Sequence, residues 1–352
     1  MTCENNEQNS VTLTAVGDVL LHGRVYGGLK KKKNFTLKEQ LSGVKNLLGN
    51  TDLTVANLET PIAGVELGLS GFPKFNAPSE IASVLKDLGV DLVTLANNHI
   101  LDQGEKGLLK TIENIENAGL VYDGAYKSIE DSETLRIFHV NGLKVCFLSF
   151  TCKINGYKVP SEKTYLVNFM KGTNLIKICR FLRRIKRENI ADIIIVNFHF
   201  GEEYHLYPTN EQKEIAASLS DAGADVIIGH HPHVLQPPEW IENSLGNKTF
   251  VAYSLGNFFS GQNGLYRQIG AVLRLKITKP DLNYNKVLIE NPRYDLTFVN
   301  REERLRYDIY TFRNWMENNE YIETKEGKYK SAEVYQKVIN RLRENMKELE
   351  IR

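Results

Sequence analysis

Apolar residues along the chain fall into two kinds of pattern. Short runs rich in β-branched or aromatic residues, each ending in a turn-forming or polar residue, occur at Val11–Val16, Leu53–Ala56, Leu92–Leu95, Lys144–Phe150, Ile193–Phe198, Val226–Ile228 and Thr249–Tyr253. Runs of this length and composition predict buried strands. Between them apolar positions recur at helical spacing over Ser79–Leu88, Gly104–Ala118 and Asn210–Ala222, each followed by a glycine suited to a helix C-terminus. Asn174–Arg187 predicts an amphipathic, basic helix. Strands alternating with helices predict an α/β architecture.

Leu135–Val140 and Leu143–Phe150, joined by Asn141-Gly142, predict a hairpin. Thr151–Met170 shows no clear period and is expected to be an insertion or lid. Beyond Gly270, the alternating stretches Ala271–Thr278 and Lys286–Val299 predict antiparallel strands. From Arg301 the chain turns charged, and Arg301–Arg352 is expected to be a helical appendage. The chain thus divides into a polar tail (residues 1–10), a main domain (11–300) and a C-terminal helical extension (301–352).

Composition narrows the function. With 44 basic against 43 acidic residues, the chain gives no reason to expect a nucleic-acid partner, which requires a basic face. The run Lys30–Lys33 is a local exception, read as a solvated loop or a contact for an anionic substrate. Cys3, Cys146, Cys152 and Cys179 form no CxxC pair; Cys146 and Cys152 could pair, but free thiols are expected. No apolar run approaches the roughly 18 residues that span a bilayer. The polar start MTCENNEQNS lacks the apolar centre of a signal peptide, so a cytoplasmic chain is expected as written. Cys3 leaves open an exported or lipid-anchored protein whose leader has been removed.

Residues that suit metals gather where the strands end: Gly17-Asp18, Asn57-Leu58-Glu59, Asn97-Asn98-His99, His199 through Glu203, and Gly229 through His233. Ligands of open α/β sheets bind outside the carboxyl ends of the strands. Imidazoles combined with carboxylate and amide oxygens suit Mn, Fe or Zn. Two such ions about 3.5–4 Å apart can stabilise both the attacking and the leaving oxygen of a displacement. Ligation needs neutral imidazole, so binding is expected to weaken as pH falls through about 6.

The blocks TAVGDVLLHGR, TVANLETPI, FPKFNAPSEIASVLKDLGVDLVTLANNHILDQGEKGL, VNFHFGEEY, AASLSDAGADVIIGHHPHVLQPPEW and VAYSLGNFF resemble, in order, the motifs of the CapA family, the capsule and poly-γ-glutamate synthesis branch of the metallophosphatase superfamily. The resemblance implies a calcineurin-like metallophosphatase fold with two facing mixed β-sheets flanked by helices. It also implies two divalent metal ions held by Asp18, Glu59, Asn98, His199, His231 and His233. His99 would protonate the leaving group, and Glu203 and Asn257 would support the ligands from outside. Glu59 stands where the superfamily has a bridging aspartate. The superfamily's histidine two residues after the first aspartate is replaced by Leu20; either His22 substitutes for it by a different backbone path, as a catalytic candidate beside Asp18, or one metal is less fully coordinated, and Gly-Asn-His-Glu becomes Asn97-Asn98-His99-Ile100. The activity implied is hydrolysis of a phosphoester or acyl (γ-glutamyl) linkage in an anionic small molecule or polymer, alongside capsule-synthesis proteins. The alternative is an accessory subunit of a capsule-polymer synthesis machinery with a structural or vestigial metal site.

Overall fold

A computed structural model of the chain describes residues 9–27, 36–172, 174–280, 286–302 and 306–352. Lys30–Lys33, Cys3 and most of the polar tail lie outside the described residues. Cys146, Cys152 and Cys179 are free thiols, and burial pushes those of Cys146 and Cys152 up to about 12.

Among the described residues the chain first lays down β1 (Ser10–Leu20), β2 (Leu53–Leu58), β3 (Leu92–Thr94) and β4 (Val121–Asp123), all parallel. It then builds a second sheet from β5 (Arg136–Val140), β6 (Leu143–Thr151), β7 (Ile193–His199), β8 (Val226–His230), β9 (Glu239–Glu242) and β10 (Lys248–Ala252). Their order is β5-β6-β7-β8-β10-β9, with the edge strands antiparallel to their neighbours. The predicted hairpin is β5–β6, and its Asn141-Gly142 turn has positive φ at both residues, 48° and 82°. The chain returns to the first sheet through β11 (Asn257–Ser260), β12 (Ile269–Thr278), β13 (Leu288–Glu302) and β14 (Arg306–Thr311). That sheet reads β14-β13-β12-β1-β2-β3-β4, with β11 on β1.

Both sheets are mixed, and they face each other. Val11, Leu13 and Ala15 of β1 pack with Val145, Phe147, Ile193, Ile195, Val226 and Ile228 of the second sheet. The intervening residues Cys146, Leu148, Ile194 and Val196 point the other way, onto Ile178, Leu182, Ile215 and Leu219 of the helices Asn174–Arg187 and Asn210–Asp221. Helices Glu80–Asp87 and Gly104–Asn117 cover the outer face of the first sheet through Ile81, Leu85, Leu108 and Ile112. Strands covered on both faces have no polar face to show, so their runs are continuously apolar. The layers are helix, sheet, sheet, helix, as the resemblance implies. Among the described residues no helix is long and apolar enough to cross a membrane.

The C-terminal segment differs from the expected helical appendage. It carries one substantial helix, Ser331–Leu342, but β13 runs through residue 301 and pairs with β14. A hairpin follows, β15 (Tyr321–Thr324) with β16 (Gly327–Lys330), and β17 (Glu350–Ile351) joins β13. Phe312, Trp315, Val338 and Leu342 lie in the inter-sheet core. The strands escaped detection because they are short and their outward residues are charged.

Residues 151–170, expected as an insertion or lid, are tied to both sheets. Asn168 Nδ2 donates to Ser149 O (3.0 Å) and to Tyr126 Oη (2.8 Å), and Tyr126 Oη donates to Asp123 Oδ1 at 2.8 Å. Burial raises the Asp123 carboxyl from near 3.8 to about 6, despite the Tyr126 hydrogen bond. Between those pH values the folded protein keeps a proton that the unfolded chain has released, so stability falls as pH rises through this window and the cost persists above it. The wild type, relative to Asp123→Asn, is expected to lose on the order of 3 kcal/mol between pH 4 and pH 7, since each pK unit is worth about 1.4 kcal/mol. Urea midpoints of the two proteins across that range check this; a difference independent of pH would contradict it.

Candidate metal centre

Each strand that reaches the carboxyl edge delivers a polar side chain there. In β1 the register shifts on either side of Asp18. Gly17 makes the approach possible, because a Cβ there would lie 1.9 Å from Gly256 O. Asp18 N then donates to that carbonyl at 2.9 Å. Asn57 and Glu59, two residues apart at the end of β2, point to the same side. His199 closes β7 and pairs in register with His230, the last residue of β8. His231 and His233 follow with φ of 98° and 59°, which non-glycine residues rarely adopt and which cluster at functional sites.

The side chains converge. His233 Nδ1 lies 2.9 Å from Asp18 Oδ2, and His230 Nδ1 lies 3.2 Å from Asp18 Oδ1. Glu59 Oε1 lies 3.5 Å from His233 Nε2 and 3.6 Å from His199 Nε2. His199 Nε2 is also 2.9 Å from Asn98 Oδ1. Asn57 Nδ2 donates to Asp18 Oδ1 (2.8 Å) and to Glu59 Oε2 (3.3 Å). Among the described residues three sets of candidate ligands result, each with atoms within 4.8 Å of one another: Glu59, His199 and His231; Asp18, Glu59 and His233; Glu203, His231 and His233. The structure therefore brings Asp18, Glu59, Asn98, His199, His231 and His233 together. All six are buried; Glu203 is exposed at the rim.

Electrostatics within the cluster favour a cation. Burial opposes charge on Asp18, but the close imidazoles of His230 and His233 hold its carboxyl well below the usual range. Burial, then the negative charges of Asp18 and Glu203, push the Glu59 carboxyl well up. Burial and the neighbouring His231 hold His199 well below its ordinary 6.5. Burial and His233 take His231 down to about 3. These imidazoles are thus neutral, the form that ligates metal. Glu59 Oε1, His199 Nδ1 and both ring nitrogens of His231 are buried without a hydrogen-bond partner. Such orphans call for a missing partner, and a mixed N/O set suits Mn, Fe or Zn. The residues present fit a divalent metal.

His99 sits beside this cluster rather than in it. Its Nδ1 is 2.7 Å from Asp102 Oδ2, and its ring meets Phe75 edge-on at 4.7 Å. That leaves Nε2 for a cavity of about 410 Å³ that His99 lines with His22, Glu203 and His233. His22 belongs to none of the three ligand sets; its Nδ1 is 3.2 Å from Leu20 O, and burial lowers it to about 4. Asn257, in register with Asp18, donates from Nδ2 to Gln262 Oε1 (3.0 Å) and Arg267 O (2.9 Å).

Sequence reasoning placed Asn57 and His230 among the polar residues at the strand ends without giving either a role, and it did not single out Asp102. His230 stands beside Asp18, and Asn57 shares the alternation of Glu59. Asp102, three residues after His99, sits at a spacing that lets a turn bring the two together.

Residues 12–262 match the family described as "Bacterial capsule synthesis protein PGA_cap". The chain is 31% identical over 269 residues to "Capsule biosynthesis protein CapA" of Bacillus anthracis, covering 74% of this chain and 62% of that protein. It is 30% identical over 267 residues to "PGA biosynthesis protein CapA" of Bacillus subtilis, covering 75% of this chain and 67% of that one. Among solved structures, PhoD aligns with a TM-score of 0.38 and 11% identity, over 86% of this chain and 71% of that chain.

Proposed function

This chain belongs to the bacterial capsule synthesis protein family PGA_cap, and from that premise we propose that it is a metal-dependent hydrolase acting on a phosphoester or γ-glutamyl linkage in capsule or poly-γ-glutamate production. The observation that carries the proposal is the buried cluster in which Asp18 stays ionised while Glu59 and the imidazoles of His199 and His231 present unpartnered atoms. Asp18, Glu59, Asn98, His199, His231 and His233 would hold one or two divalent ions. When bound, such ions supply Lewis-acid charge and activate water.

The rest of the chemistry falls to the chain's own groups. The Asp102 carboxylate, 2.7 Å from His99 Nδ1, orients the ring so that Nε2 gives a proton to a leaving oxygen or nitrogen. Glu203, at the rim, offers a carboxylate oxygen within 4.8 Å of nitrogens of His231 and His233 and would join them in holding an ion. Asn57 spans Asp18 and Glu59 and keeps the two carboxylates in register.

Phosphodiester and γ-glutamyl substrates, screened on the Mn(II)-, Fe(II)- and Zn(II)-loaded protein, test the proposal. Turnover of one class that stops on metal removal is expected. Metal retention with no turnover of either class would replace the hydrolase with an accessory subunit carrying a structural metal site.

A further inference from the structure

The cavity beside the cluster is lined by the buried His99 and His233 and by more exposed charged groups, Glu203, Arg267, Lys325 and Glu326. Arg267 is held in place from three sides. Its guanidinium lies over the Tyr204 ring, 4.5 Å from the centroid. Its backbone carbonyl accepts from Asn257 Nδ2, and Asn257 is in register with Asp18. Its Nη2 lies 3.2 Å from Glu326 Oε1 in the turn between β15 and β16, the same turn that brings Lys325 to the cavity. Arg267, Lys325 and Glu326 all lie beyond the residues that match the family, so this wall belongs to the C-terminal part of the chain.

A planar guanidinium stacked on an aromatic ring and fixed at the backbone is suited to bidentate recognition of a carboxylate or phosphate. The carboxylate it meets in this structure is Glu326, half-exposed on a hairpin turn. We propose that Arg267, aided by Lys325, binds an anionic oxygen group of the substrate adjacent to the reacting linkage, and that Glu326 occupies this place until substrate displaces it. The proposal rests on the hydrolase reading of the neighbouring cluster and assigns that site its specificity element: a substrate bearing a carboxylate or phosphate next to the bond that is cleaved. Glu326 competes with the incoming anion for the same guanidinium, so its charge weakens binding while Arg267 strengthens it.

That opposition separates a clamp from a structural ion pair. The full chain, metal-free and Mn(II)-loaded, is titrated calorimetrically with inorganic phosphate and with glutarate, which also tells the two anion classes apart. Arg267→Gln is expected to weaken binding of the preferred anion about tenfold or more, the loss of one charge-assisted contact. Glu326→Gln is expected to tighten it by about threefold, since the competing charge is gone. Lys325→Ala, on an exposed turn, is expected to weaken binding by a smaller factor without lowering the Tm. Arg267→Gln and Glu326→Gln shifting affinity in the same direction, or neither shifting it, would overturn the proposal. An Arg267 effect that persists in the metal-free protein, with Mn(II) adding nothing to binding, supports the clamp while counting against the hydrolase reading alone.

Discussion

His99→Ala is expected to lower turnover on a confirmed substrate by about 10²–10⁴-fold, the usual contribution of a positioned general acid, with metal content near that of the wild type. The separation follows from geometry. His99 appears in none of the three ligand sets. Its Nδ1 is engaged by Asp102 at 2.7 Å, and its ring is set against Phe75. Removing the imidazole therefore deletes a proton donor at the cavity without touching Asp18, Glu59 or His231. Steady-state kinetics beside elemental analysis of the same preparation checks this. Unchanged turnover would reduce His99 to a structural residue of the turn after β3.

His231→Ala is expected to lower metal content and turnover together, with metal affinity falling by at least about 100-fold. Loss of groups that merely support a metal ligand already costs about 10–100-fold, and His231 is placed to contact the ion itself. It occurs in two of the three ligand sets, with Glu59 and His199 and with Glu203 and His233. Both of its nitrogens are buried without a partner, and it holds a φ of 98°, which residues with a Cβ rarely adopt. Calorimetric titration of the variant with Mn(II), set against its turnover, tests this. Wild-type affinity in the variant would remove His231 from the ligand set.

The apolar runs made the layered core legible, because strands covered on both faces leave unbroken β-branched sequence. Ile193–Phe198 is an example: it became β7, with His199 as its last residue. The candidate residues at the carboxyl edge were legible for the same reason, as each follows such a run. Other features were invisible for physical reasons. β4 is three residues long and β17 two, too short to establish a period. The C-terminal strands put charged residues outward and so read as surface helix. The Asp18–His230 contact links residues on strands of different sheets, which no local spacing reports. The link from Arg267 through Glu326 to a hairpin 59 residues away is likewise tertiary. The pH dependence also shifts once burial is known. Burial holds the imidazoles of His199 and His231 well below their ordinary range, while burial and the charges of Asp18 and Glu203 raise the Glu59 carboxyl.

The most direct test is metal content and affinity. Protein stripped with a chelator and titrated with Mn(II), Zn(II) and Fe(II) near neutral pH is expected to take up one or two equivalents per chain, with affinity falling as pH is lowered. Absence of binding by all three ions, confirmed by elemental analysis of the protein as purified, would contradict the metal centre and the hydrolase built on it.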